Sequence, residues 1–241
     1  GDDPEKSIKF EMEACSYQSV TKNEATFQQV AGLITEFGGA ALSHAVIPEI
    51  GYHGILTILP VAAIKKILDG TQEKLVASNR IMFFRPQPHA VMRTFEGEAG
   101  THDQAEVTTT EMPPVVALLD GLPLQNHPLL RNHLLVDDPD NWAEFYRSGE
   151  RIHGTAMASL IIHDELDAAS HAPSRKIYVT PVLHPDNNDT FHAQRPEIIP
   201  DDVLIIDLIH RAVRRIFEGE GEQPPAAPTA PGASRRPANF R

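Results

Sequence analysis

Between Pro114 and Gly121 the chain reads PVVALLDG, and between Arg175 and Asp186 it reads RKIYVTPVLHPD. Each is a short, unbroken apolar run bounded by turn residues. A strand with one face in water alternates apolar and polar side chains. An unbroken run instead calls for a strand covered on both faces, the condition of a parallel sheet under helices. Between the two lies HGTAMASLIIHDEL, a helical pattern. After them comes IPDDVLIIDLIHRAVRRIFEGEG, a long helix with Pro200 and Asp201 at its start, Arg214 and Arg215 in its last turns and Gly219 after it. Strand, helix, strand, helix predicts a parallel α/β sheet over 113–221. With two or three strands, such a sheet is too small to cover two helix layers, so the domain reads as incomplete.

Upstream, residues 8–88 have a different rhythm. IKFEMEACSY alternates and predicts a strand. NEATFQQVAGLITEFGG predicts a helix with Asn23 as N-cap, apolar residues at Phe27, Val30, Leu33, Ile34 and Phe37, and a Gly38-Gly39 stop. ALSHAVIPEIGYHGILTILP predicts two strands joined around Pro48 to Tyr52, PVAAIKKILDG a helix from Pro60 to Leu68, and ASNRIMFFRPQ a last strand ending before Pro86. The order βαββαβ is the ferredoxin-like split motif. Residues 89–112 are polar and threonine-rich and predict a linker or surface loop. The tail, 222–241, is dominated by Pro, Ala and Gly without periodicity and predicts disorder.

Composition narrows the function. An apolar fraction of 41% in 241 residues suffices for a real core, and a net charge of −12 argues against an electrostatic hold on nucleic acid or an anionic membrane. The lone cysteine, Cys15, excludes an intrachain disulfide and a cysteine metal cage, and its surroundings predict a small core residue. No apolar run approaches the ~18 residues of a membrane helix. The acidic start GDDPEKSIKF is no signal peptide, which slightly favours the cytoplasm, although the chain begins with Gly and its true N-terminus is open.

Two residues carry chemistry. Asp120 closes a predicted parallel strand, the edge where open α/β sheets gather ligands and catalytic groups. By itself it reads more simply as part of a strand-ending Asp-Gly turn. His153 opens a helix of small residues, followed by Gly154 and Thr155. The positive end of the helix dipole disfavours an imidazolium and keeps a neutral base available. Gly154 admits a close backbone, and Ala156, Ala158 and Ser159 let the helix pack tightly. The bland alternative is a helix-start histidine without a role.

Taken together, VVALLDGLPLQNHPLL and HGTAMASLI resemble the segments around the catalytic aspartate and histidine of the subtilisin-like serine peptidases (subtilases), whose triad runs Asp, His, Ser along the chain. The resemblance includes His127-Pro128. It departs after the aspartate, where the family commonly has Thr-Gly and this chain has Gly121-Leu122. It implies an endopeptidase acting on a polypeptide substrate, with Asp120 orienting the imidazole and His153 as general acid and base. It also implies that 8–88 is a propeptide-like domain, which chaperones and inhibits the peptidase that follows and contacts it within the chain, with 89–112 as the junction.

The family's serine lies on the order of 150 residues after the histidine and its oxyanion-hole asparagine roughly 90, both beyond Arg241. Ser159 and Ser170 do not replace the nucleophile, since Ser159 reads as a packing residue of the histidine's own helix. The expectation is an N-terminal portion of such a peptidase, truncated or frameshifted near Glu222 and inactive alone. The alternative is a non-catalytic binding or inhibitor module built on the ferredoxin-like domain. A metal enzyme using His163, Asp164, Glu165 and His171 lacks a recognised ligand spacing, and no Gly-x-Gly-x-x-Gly supports a nucleotide domain. No cofactor is expected. DDPDN, Asp137 to Asn141, offers oxygen ligands for calcium, but an exposed acidic loop is the simpler reading. Arg211, Arg214 and Arg215 read as the polar face of a helix.

Overall fold

Alternation in SIKFEMEA sends Met12 and Ala14 to one face of a sheet and Glu11 and Glu13 to the other, and strand β1 (Ser7–Ala14) follows from it. The computed structural model describes residues 6–69, 78–86, 112–163, 175–220 and 224–227. Most of the segments 89–112 and 222–241 lies outside them. The described residues make a mixed α/β fold with four α-helices and with antiparallel and parallel sheets. The chain divides into two units, Gly1–His89 with Pro200–Leu208, and Ala90–Ile199 with Ile209–Arg241.

In the first unit β1 is followed by α1 (Val20–Glu36), β2 (Ala40–Ile47), β3 (Tyr52–Pro60), α2 (Val61–Leu68) and β4 (Ile81–Pro86). The sheet runs β2-β3-β1-β4 with every neighbouring pair antiparallel. Met12, Ala14, Ile55 and Leu59 pack with Val30 and Ile34 of α1 on one face. On the other, Ala45, Ile47, Tyr52 and Leu56 pack with Leu204. The segment 200–208, grouped with 113–221 on sequence grounds, therefore adds its apolar side chain to the first unit.

Several local expectations are corrected. The N-cap of α1 is Ser19, whose hydroxyl accepts the Lys22 N–H at 3.4 Å. Asn23 is buried one turn inside, where its amide bonds the N–H and C=O of Tyr17, both at 2.8 Å. The cap thus falls four residues earlier because the Asn23 side chain is used to hold the incoming chain. Gly38, at φ +76°, ends α1 as expected. Pro60 closes β3 rather than opening α2, and Pro86 belongs to β4. Cys15 is only half-buried, with its Sγ 3.6 Å from the Asn79 carbonyl oxygen.

The second unit holds a parallel sheet in the order β5-β7-β6, from β5 (Ala117–Asp120), β6 (Leu134–Val136) and β7 (Ile177–Pro181). Every residue of β7, the central strand, is buried, which is why IYVTP shows no alternation. Strand β6 has three half-buried residues, too few to show a period, and it escaped the sequence pattern. Helix α3 (Ile152–His163) lays Ala158 and Ile162 against Leu118, Leu130, Ile177 and Val179. A two-residue ladder of β8 (His184–Pro185) and β9 (Glu197–Ile198) follows. Helix α4 (Ile205–Glu218) starts later than Pro200, because residues 201–203 form a turn. Among the described residues no helix is long and apolar enough to cross a membrane.

Candidate active site around Asp120 and His153

Parallel pairing with β7 ends at Asp120, opposite Pro181, and the N–H groups of Val182 and Leu183 both reach the Asp120 carbonyl, at 2.8 and 3.4 Å. The carboxylate is thereby fixed at the C-terminal end of its strand. It is 6% exposed. Its Oδ1 accepts the N–H of Gly121 at 2.7 Å and lies 3.2 Å from Nε2 of His153. The two residues singled out by the sequence therefore meet.

The order His-Gly-Thr has a steric cause. A Cβ on residue 154 would overlap the carbonyl group of Gly121, so only glycine lets the first turn of α3 come this close to the Asp120–Gly121 turn. Thr155 then ties the same loop down: its Oγ1 accepts the N–H of Leu124 at 2.9 Å and donates to the Arg151 carbonyl at 2.5 Å. His153 is held between these two anchors, with about a fifth of its side chain exposed.

The ring's orientation differs from that of a working triad. There the carboxylate meets Nδ1, and Nε2 faces the nucleophile. Here Nε2 is the nitrogen nearest Asp120, at a distance of contact but without hydrogen-bond alignment. Turning the ring about Cβ–Cγ alone would bring Cε1 to that position. Presenting Nδ1 requires rotation about Cα–Cβ as well.

Two further residues complete the cluster, and the sequence pattern did not flag them. Glu197, 3% exposed, comes from β9. Its carboxyl abuts Gly121, where a Cβ would overlap it. Tyr146 places its hydroxyl 2.5 Å from Glu197 Oε1 and 3.0 Å from the Leu183 carbonyl oxygen, and the N–H of Leu122 reaches that hydroxyl at 3.3 Å. Burial raises the Asp120 carboxyl, and the Gly121 N–H and His153 offset this only in part. Burial likewise raises Glu197. The Tyr146 hydroxyl and His153 act against that rise, while Asp120 and Glu150 add to it. The Tyr146 phenol is pushed upward by burial and by Glu197. The only sequence trace of Glu197 is a carboxylate set among apolar residues in RPEIIP.

The remaining candidates fall elsewhere. Ser159 is half-buried on α3, and Ser170 is outside the described residues. His163 is buried with Nε2 2.7 Å from the Leu129 carbonyl oxygen, while Asp164, Glu165 and His171 lie outside the described residues. Among the described residues no group of three or more His, Cys, Asp or Glu side chains is placed to hold a metal ion. The stretch Asp137 to Asn141 is not a uniformly exposed acidic loop. Asp137 is buried, and Arg215 clamps it through Nε and Nη2, both at 2.7 Å. Asp138 accepts the N–H groups of Trp142 and Ala143, and Asp140 pairs with Arg211. Nor do the three arginines share one polar face: Arg214 pairs with Glu218 at the surface, whereas Arg215 is buried.

No known protein-family model matches the chain, and no curated protein sequence does either.

Proposed function

We propose that the second unit is the aspartate- and histidine-bearing part of a subtilisin-like serine endopeptidase, with polypeptide as substrate. The observation that carries this reading is the 3.2 Å approach of His153 to Asp120, at the end of a parallel strand and the first turn of a helix. A strand-end carboxylate beside an imidazole suits proton transfer, because the carboxylate can fix the tautomer and steady an imidazolium. Asp120 would orient the ring, and His153 would take and return the proton of a hydroxyl nucleophile. The close Gly154–Gly121 packing supports the reading, since general-base work needs the ring held to within a fraction of an ångström. In the first unit, the βαββαβ order and the antiparallel sheet β2-β3-β1-β4 support a ferredoxin-like, propeptide-like domain.

No nucleophilic serine segment of the family's kind occurs in the sequence, so this chain is expected not to turn over peptides alone. Residual catalysis without the nucleophile falls by about 10⁶-fold from a full triad. Turnover of a fluorogenic peptide that disappears in His153→Ala would overturn the inactivity. The pairing itself is tested by ¹⁵N NMR of the His153 ring. A single tautomer is expected in the wild type and a changed tautomer population in Asp120→Asn; identical ring signals in both would remove the acid–base reading.

A further inference from the structure

The Tyr146 hydroxyl has one proton and two acceptors. It stands 3.0 Å from the Leu183 carbonyl oxygen and 2.5 Å from Glu197 Oε1. A carbonyl cannot donate, so both contacts are hydrogen bonds only when Glu197 supplies a proton of its own. With Glu197 protonated, its carboxyl donates to the Tyr146 oxygen and Tyr146 donates to Leu183. With Glu197 ionised, Tyr146 turns its proton to the carboxylate and the Leu183 carbonyl loses that donor. Leu183 is not remote: its N–H bonds the main-chain carbonyl of Asp120 at 3.4 Å, and Glu197 abuts Gly121, the next residue.

We propose that Glu197 is a proton-linked positioning residue of the Asp120–His153 site, and that the Tyr146 hydroxyl is the switch through which its charge reaches Leu183, in the link after β7. This deepens the reading of Asp120 and His153 as an acid–base pair and rests on it. The groups facing Glu197 are Tyr146, Asp120 at the end of β5, His153 in the first turn of α3, and Glu150, which Arg195 neutralises through bonds of 2.7 Å to both carboxylate oxygens. The Arg151 guanidinium lies over the Tyr146 ring, 5.6 Å from its centroid, and the Arg195 guanidinium is taken up by Glu150. With Asp120 ionised and His153 neutral, the Asp120–Glu197 pair carries one negative charge when Glu197 holds its proton and two when it does not. The raised Glu197 carboxyl agrees with this placement, since burial first and then like charge from Asp120 favour the neutral form.

The test is ¹³C NMR of the intact chain, following the Glu197 carboxyl and the Tyr146 ring carbon that bears the hydroxyl. Glu197 is expected to titrate above the ordinary glutamate value of 4.5. The Tyr146 signal is expected to move with the same midpoint in the wild type and to stay flat over that range in Glu197→Gln, a neutral variant of the same shape. Tyr146→Phe supplies a second variant, in which the Glu197 midpoint shifts because its hydrogen-bond partner is gone. A Glu197 midpoint at or below the ordinary value overturns the proposal, as does a Tyr146 signal indifferent to Glu197. Neither result touches the Asp120–His153 pairing, which stands or falls on the His153 tautomer in Asp120→Asn.

Discussion

Four acids of the second unit are almost equally buried, yet they divide into two opposite pairs. Asp137 and Glu150 are 7% and 3% exposed; Asp120 and Glu197 are 6% and 3%. Glu150 is gripped by Arg195, which donates to both carboxylate oxygens and also bonds Asn187 and the Phe145 carbonyl, and it is drawn down to about 2. Burial pushes Asp137 up, but the Arg215 fork, together with the Tyr178 hydroxyl, outweighs it and leaves the carboxyl lowered. Asp120 and Glu197 have backbone N–H, a phenol and an imidazole instead of a guanidinium, and both are raised. Similar exposure with opposite outcomes follows from two differences: the raised acids are desolvated without a guanidinium, and the lowered ones hold one. Arginine-clamped acids fasten loops. Raised acids without a guanidinium are the candidates for proton exchange.

The sharpest way to break the contrast is to remove a clamp. Arg215→Ala or Arg195→Ala leaves a buried carboxylate uncompensated and is expected to cost about 3–5 kcal/mol in urea unfolding of the chain. A loss under ~1 kcal/mol would mean that the clamped acids differ little from Asp120 and Glu197.

Acid comes next in size. Glu150 is lowered from the ordinary 4.5 to about 2. Its folded value lies below its unfolded one, so its stabilisation is complete above the unfolded value. It is lost as pH falls from near 4.5 through about 2, by on the order of 3 kcal/mol. Asp137 acts in the same direction. Asp120 and Glu197 have the opposite sign: raised when folded, they favour the fold most when protonated and cost stability as pH rises through their folded values. A stability–pH curve should therefore fall steeply on the acid side. Glu197→Gln should remove only the opposing, milder slope above the ordinary carboxylate range. A variant curve parallel to the wild type would erase the distinction between the pairs.

The smallest of these effects tests the steric half of the site. Gly154→Ala forces a methyl group into the Gly121 carbonyl and is expected to cost roughly 1–3 kcal/mol. It should also disturb the His153 ring signals more than Arg215→Ala does, since Gly154 and not Arg215 packs on the Asp120–Gly121 turn. Unperturbed His153 signals in Gly154→Ala would show that the close packing is incidental to the imidazole.

Much of the fold was legible because its signals are local. Unbroken apolar runs marked β5 and β7, alternation marked β1, and glycine marked the end of α1. Asp120 and His153 were found together because each sits at an element boundary that a sequence motif can mark, a strand end and a helix start. The N-cap of α1 was misplaced by four residues, because a side chain's choice among nearby partners is a competition that spacing does not reveal, and the start of α4 by five, because residues 201–203 form a turn. The fate of Arg215 was hidden for a related reason. Its partner Asp137 stands 78 residues away, and nothing in RAVRRIF distinguishes the arginine that will be buried from those that remain wet.

By itself the sequence determined that Asp120 closes a strand and that His153 opens a helix, because residue type and periodicity are properties of the chain. Only the tertiary structure decided their company. It set Glu197 and Tyr146 beside Asp120, turned the His153 ring so that Nε2 faces the carboxylate, and gave arginine to two buried acids while withholding it from two others. Those outcomes depend on through-space distances of a few ångströms between segments distant in sequence. Electrostatic and hydrogen-bond energies vary steeply over such distances, and no linear pattern encodes them.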